Sequence, residues 1–237
     1  MAKKLATEHP ILFMGRLVLK ILANEKTETR RLSGLQSFNA APDKYGQPHV
    51  SEDPRVWRMR GVYANGEHDG SAFHVRCPYG MPGDTLYVRE AWAPGDQWTV
   101  GYELKPPRCI RYRADNSART FEFEDDGDRV PQSEVDQWSD VDRWKPSIHM
   151  PKWASRIRLK VKEIRLERLQ QITTAAIRAE GVVNYEGCES NQEAESWDPT
   201  AHFAELWDSA NRESGLIWNR NPWVWVVEFE KVEVKNG

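Results

Sequence analysis

The chain has 237 residues, 39% of them hydrophobic and 29% charged, with a formal net charge of −3. Those values fit a globular body large enough to bury a core without covalent staples, and they exclude a protein that coats nucleic acid through bulk positive charge. Three scattered cysteines, Cys77, Cys109 and Cys188, form no CxxC pair, which argues for reduced thiols in the cytoplasm and against structural zinc.

Pro10 to Met14 is predicted as a short apolar strand broken at Gly15, after which Leu17, Val18, Ile21 and Leu22 share one side of a helix ending near Asn24. Arg16 and Lys20 interrupt this run, so it is too short and too charged for a signal peptide or a membrane span. The next run, Lys26-Thr27-Glu28-Thr29-Arg30-Arg31, is expected to be a turn. It offers an amine, two hydroxyls, a carboxylate and two guanidiniums, the groups needed to handle an acyl or phosphate moiety. Residues 33–75 are rich in Gly, Pro, Asn, Asp and His and are expected to form an irregular insertion, with one hairpin near Val62 to His74 marked by Asn65-Gly66.

A turn cluster from Cys77 to Asp84 feeds a predicted strand, Thr85 to Trp92, whose alternation places Leu86, Val88, Glu90 and Trp92 on one face. A carboxylate on an apolar face must be paired, protonated or open to a cavity, because an isolated buried charge is expensive. Cys109 to Ala114 reads as another strand. Glu122 to Asp142 sets nine acids against the single Arg129 and reads as a solvated loop or hairpin. In Ser147 to Arg156, Ser147 and His149 are two apart in an expected extended segment without an identifiable acid partner. Trp153 reads there as a lid or stacking surface, and Arg156 as a phosphate contact.

Ile157, Leu159 and Val161 alternate with Arg156, Arg158, Lys160 and Lys162, a half-buried strand with a basic face. Past Glu163 the apolar positions shift to Ile164 and Leu166, which predicts a β-bulge near Lys162 or Glu163. Thr173 or Thr174 is expected to cap a helix from Ala175 to Glu180 ended by Gly181, and a polar loop, Asn184 to Asp198, leads to a helix from Thr200 to Asn211. Pro222 to Val234 reads as a long strand, apolar on both faces at first. The expectation is one domain over 1–237, an α+β but mostly β bent barrel with a few helices at its ends and insertions near 33–75 and 115–145. The eleven tryptophans fill that core or offer flat platforms to nucleobases.

Several of these blocks, taken in order, resemble the ASCH family of the PUA-like superfamily. They are Ile11-Leu12-Phe13 with Lys26-Thr27-Glu28-Thr29-Arg30, Gly83 to Val88, Ala179-Glu180-Gly181, Phe203 to Trp207 and Trp225 to Phe229. Trp144 to Arg156 is similar to the larger phage- and prophage-encoded ASCH-like proteins, which implies a bacterial host cell. The resemblance covers about half of the chain and implies RNA or nucleoside biology. One compact branch of the family hydrolyses the amide of N4-acetylcytidine without a metal or other cofactor, and its lysine, threonine and glutamate match Lys26, Thr29 and Glu180 here. This chain is more than twice the length of that branch.

The residue types suit such a reaction. Thr29 offers a nucleophile, Lys26 a base once its pKa falls well below about 10.4, and Glu180 a group to orient or protonate the leaving nitrogen. Arg30 and Arg31 suit a phosphate or carboxylate, or a partner carboxylate within the fold. Glu90 and Trp92 read either as core or as pocket residues. The leading expectation is an amidohydrolase of an acylated nucleobase or nucleoside. The alternative is a non-catalytic module that binds RNA or modified nucleic acid through Arg156 and Trp153.

Overall fold

The computed structural model of the chain describes residues 6–95, 109–120, 143–182 and 198–232. The expected acidic run from Glu122 to Asp142, Cys188 and all of the Asn184 to Asp198 loop except Asp198 lie outside the described residues. The fold is α+β and mostly β. Its strands are β1 (Glu8–Leu12), β2 (Glu28–Arg31), β3 (His49–Val50), β4 (Val56–Val62), β5 (His68–Arg76), β6 (Thr85–Arg89), β7 (Trp92–Gly95), β8 (Cys109–Tyr112), β9 (Ala118–Thr120), β10 (Arg158–Arg168) and β11 (Trp223–Val232). Its α-helices are α1 (Gly15–Leu22), α2 (Gln36–Asn39), α3 (Thr174–Ala179) and α4 (Pro199–Asn211). Three open sheets have the orders β1-β6-β10-β11-β2, β3-β4-β5 and β7-β8-β9. Among the described residues no helix is long and apolar enough to cross a membrane.

The chain separates into two compact units, each assembled from several stretches. The first takes Met1–His9, Asn24–Thr85 and Lys160–Glu230; the second takes Pro10–Ala23, Leu86–Leu159 and Lys231–Gly237.

In the first unit, β11 is apolar on both faces because both are covered: Trp223 to Val227 are all buried. Val224 and Val226 pack with Leu169, Ile177, Phe203 and Trp207 on one side. On the other, the Trp225 ring meets Trp57 edge-on, with centroids 5.9 Å apart. Each such large apolar side chain contributes about 1.5–3 kcal/mol by leaving water. The two helices in this core start and stop where their chemistry requires. The Thr173 hydroxyl accepts from the Ala176 amide at 3.2 Å and Gly181 ends α3 at φ +83°. Asp198 accepts from the Thr200 amide at 2.8 Å, with Pro199 in the first turn of α4.

Two expectations for this unit change. The run from Lys26 to Arg31 is not a turn: Glu28–Arg31 is a strand paired antiparallel with β11 in the register Thr29↔Val227 and Arg31↔Trp225. Its charges hid that pairing, because strand formation there is decided by a partner about 200 residues away rather than by local pattern. Residues 33–75 are not irregular but form α2 and the sheet β3-β4-β5, with the hairpin turned at Asn65-Gly66 and Gly66 at φ +85°. The slip in β10 appears as expected. Leu159 and Val161 are buried, Lys162 and Glu163 are both exposed, and Ile164 and Leu166 are buried again.

In the second unit, Trp92, Ile110, Tyr112, Met150 and Ala154 form the core of the β7-β8-β9 sheet, while α1 buries Val18 and Ile21. The strand expected from Thr85 to Trp92 stops at Arg89, and β7 starts afresh at Trp92, which pairs with Tyr112. Ser147 to His149 is a 3₁₀ turn rather than an extended segment.

Candidate functional site

The strand β2 lies at the end of its sheet, and α3 is fastened to it. The Thr27 amide donates to Ala179 O at 2.8 Å, and Thr27 O accepts from the Phe229 amide at 2.8 Å. These two backbone bonds set the end of α3 beside the start of β2, so Glu180 meets Lys26 across a separation of 154 residues. The Lys26 ammonium donates to Glu180 Oε2 at 2.5 Å, to Glu180 O at 2.8 Å and to Glu28 O at 2.8 Å. Those three acceptors match the three protons of the group. Lys26 is only 2% exposed, and burial pulls its pKa below the usual lysine value despite the opposing pull of Glu180. Arg30 and Arg31 lower it further.

The pair belongs to a longer line of alternating charge. Arg30 Nη1 donates to Glu180 Oε1 at 3.3 Å and to Glu28 Oε1 at 2.7 Å. The other Glu28 oxygen accepts from Arg165 Nη2 at 2.7 Å, and Arg165 also reaches Glu167 at 2.7 Å and Glu163 at 3.0 Å. The line runs from half-exposed Arg165 to fully buried Lys26. Each buried carboxylate in it is held by two cations, which offsets the cost of taking the charges out of water.

Thr29 is buried, but not in this line. Antiparallel partners share a face, so Thr29 and Arg31 lie with Val227 and Trp225, while Glu28 and Arg30 lie with Glu228 and Val226 on the other side. Among the described residues the Thr29 hydroxyl makes no hydrogen bond. The direct approach to Lys26 expected from a turn is therefore not formed, since a strand sends alternate side chains to opposite faces. Arg31 is half-buried on the Thr29 side, where it acts electrostatically on Tyr79. The Tyr79 hydroxyl donates to Ser33 Oγ at 3.1 Å, and Trp225 Nε1 donates to Ser33 O at 3.0 Å. Sequence reasoning missed Arg165, Tyr79, Ser33 and Trp57. A signal for Trp57 existed: Trp57 and Met59 alternate with Arg58 and Arg60, a strand pattern hidden in a segment read as irregular.

Glu90, Trp92, Trp153 and Arg156 come together in the second unit. Arg156 makes a fork to Glu90 at 2.8 and 3.0 Å, and its third nitrogen reaches Asp115 at 2.7 Å and Ser117 Oγ at 2.6 Å. Its guanidinium lies 4.1 Å from the centre of the Tyr112 ring. Burial raises the Glu90 pKa against the pull of Arg156. Asp115 is shifted the other way, to about 2: burial opposes ionisation, but the hydrogen bonds from Arg156 and Ser117 prevail. Trp92 is core, and Trp153 packs edge-on against it at 6.3 Å. The structure thus binds Arg156 to internal carboxylates and uses Trp92 and Trp153 for packing. In the rest of the expected basic stripe, Lys160 and Lys162 pair with Glu230 at 3.9 and 3.3 Å, and Arg158 donates to Ser155 O at 3.0 Å.

Compared with protein-family models, with curated proteins and with solved structures, the chain has no match.

Proposed function

We propose that the chain is an ASCH-type, PUA-like barrel protein and a metal-independent amidohydrolase acting on an acylated nucleobase or nucleoside of the N4-acetylcytidine kind. The observation that carries this reading is the buried contact between Lys26 Nζ and Glu180 Oε2, 2.5 Å. Burial pulls the Lys26 pKa down and so favours its neutral amine. A proton passed from Lys26 to Glu180 leaves a free amine as base and a carboxylic acid as donor, the two groups that amide cleavage needs.

In the proposed sequence a water on the Lys26 side of β2 bonds to the acyl carbon and gives its proton to the Lys26 amine. The carbon–nitrogen bond then breaks, the Glu180 proton goes to the leaving exocyclic nitrogen, and the carboxylic acid is released. Thr29, expected as the nucleophile, lies on the opposite face of the strand and takes no part in this sequence. The test is acetate release from N4-acetylcytidine by the wild type, Lys26→Ala, Thr29→Ala and Glu180→Gln. Removing the base or the acid is expected to slow turnover at least ~100-fold. Equal inertness of the wild type and all variants across acylated nucleosides refutes the hydrolase reading. The alternative, a binding module working through Arg156 and Trp153, draws no support from their geometry, since both are engaged within the second unit.

A further inference from the structure

The β3-β4-β5 sheet carries a row of cationic and imidazole side chains that no part of the site uses. Its register sets His49 opposite Arg58 and Arg58 opposite His74, so the three stand side by side across three strands on one face. Arg60 follows Arg58 on the same face, and all four are exposed. Strand geometry places Arg58 and Arg60 about 7 Å apart, with each histidine about 5 Å to one side of Arg58. Among the described residues no ion pair or side-chain hydrogen bond engages any of the four. Of the acids in or beside this sheet, Asp53 is paired with Arg76 at 3.5 Å, and Asp69 of β5 accepts from the amide and the hydroxyl of Ser71.

That lack of acid partners contrasts with several arginines elsewhere in the chain. Arg30, Arg156, Arg165 and Arg168 are each held by at least one carboxylate, in a chain whose acids outnumber its lysines and arginines by 36 to 33. Setting cations side by side without acids is unfavourable for a sheet, and it leaves two guanidinium forks facing solvent at the spacing of neighbouring phosphates in an extended strand. Imidazole rings beside them supply flat faces on which unpaired bases stack.

We propose that this face binds the phosphodiester backbone of a single-stranded nucleic acid, with Arg58 and Arg60 on successive phosphates and His49 and His74 against the bases. The inference is independent of the hydrolase reading, and its test needs no turnover. Fluorescence anisotropy of labelled single-stranded RNA, single-stranded DNA and duplex DNA is followed against salt for the full chain. Two double variants are compared with it: R58S/R60S, and K160S/K162S, which removes the same charge from lysines paired with Glu230. Two phosphate contacts give a log–log salt slope of about −1.4 for a single strand. R58S/R60S is expected to bind about tenfold more weakly at low salt and to lose most of that slope, while K160S/K162S stays within about twofold of the wild type. A preference for either single strand over duplex supports the proposal, the 2′-hydroxyl accounting for any difference between RNA and DNA. Absence of binding at low salt, equal loss in both double variants, or a preference for duplex overturns it.

Discussion

Replacing Glu180 by Gln keeps the shape of the side chain but removes the carboxylate 2.5 Å from the Lys26 ammonium. The acceptors Glu28 O and Glu180 O, each at 2.8 Å, are uncharged carbonyls. Stripping one partner from a buried pair costs about 3–5 kcal/mol. The upper end has a physical ceiling, because Lys26 escapes the penalty by losing its proton. Deprotonating a lysine of ordinary pKa at pH 7 takes about 4.6 kcal/mol, and each further pH unit lowers that by about 1.4 kcal/mol. The sign follows from linkage. A lysine whose folded pKa is depressed destabilises the fold most below that pKa, and stability returns as pH rises toward its unfolded value of about 10.4. Glu180→Gln should therefore lose about 4 kcal/mol at pH 7 but no more than about 2 kcal/mol at pH 9. Lys26→Met combined with Glu180→Gln removes both charges of the pair and leaves Arg30 on Glu28, and should lie within about 1.5 kcal/mol of the wild type at both values. Urea unfolding of the wild type, both single variants and the double, with m unchanged, measures the coupling. A loss below 1 kcal/mol for Glu180→Gln, or equal losses at pH 7 and 9, refutes the account of a desolvated Lys26.

Arg156→Met strands the Glu90 carboxylate, which is 1% exposed, and should cost about 3 kcal/mol at pH 7. Because the folded pKa of Glu90 is already raised, that deficit should shrink as pH falls and the acid protonates, a trend visible in urea midpoints at pH 5 and 7. Asp115, at about 2 in the folded chain, contributes stability that is complete above its unfolded pKa near 3.9 and disappears as pH falls through 2. Asp115→Asn should remove about 2 kcal/mol of acid-sensitive stability, seen as a flatter unfolding curve between pH 4 and 2. Gly80 has φ +83°, and a Cβ there would fall 2.5 Å from Asp84 Oδ2 and 2.8 Å from His9 Nε2. Gly80→Ala should disturb the bonds from the Thr7 and Met81 amides to Asp84 and cost about 2 kcal/mol, a fall of roughly 4–8 °C in Tm.

The elements that could be read from sequence are those whose reasons are local. Thr173 and Gly181 bracket α3 because a hydroxyl cap and a left-handed glycine are short-range requirements. The change of phase at Lys162 and Glu163 survives into β10 because burial has a strict period of two. The strand at Glu28–Arg31 was invisible for the opposite reason: four polar residues form a strand only because the twice-buried β11 needs a partner on that edge. The meeting of Lys26 with Glu180 could not come from spacing over 154 residues, and only the family resemblance named the two together. The internal partners of Trp153 and Arg156 were not legible because sequence shows a charge and a ring but not what they touch. Glu90, recognised as a carboxylate that needed a partner, was that missing information for Arg156.

Why a protein tolerates so much buried charge at one strand end has a structural answer that bears on the chemistry. An edge strand presents unpaired backbone groups, and here the Lys26 ammonium and the end of α3 cover them: Glu28 O accepts from Lys26, and the Thr27 amide donates to Ala179 O. The same side chains therefore close the sheet edge and form the proposed acid–base pair. Arg30 stands 2.7 Å from Glu28 and 3.3 Å from Glu180, so its charge acts more strongly on Glu28. Glu28, anchored from the other side by Arg165, keeps Arg30 at that intermediate position.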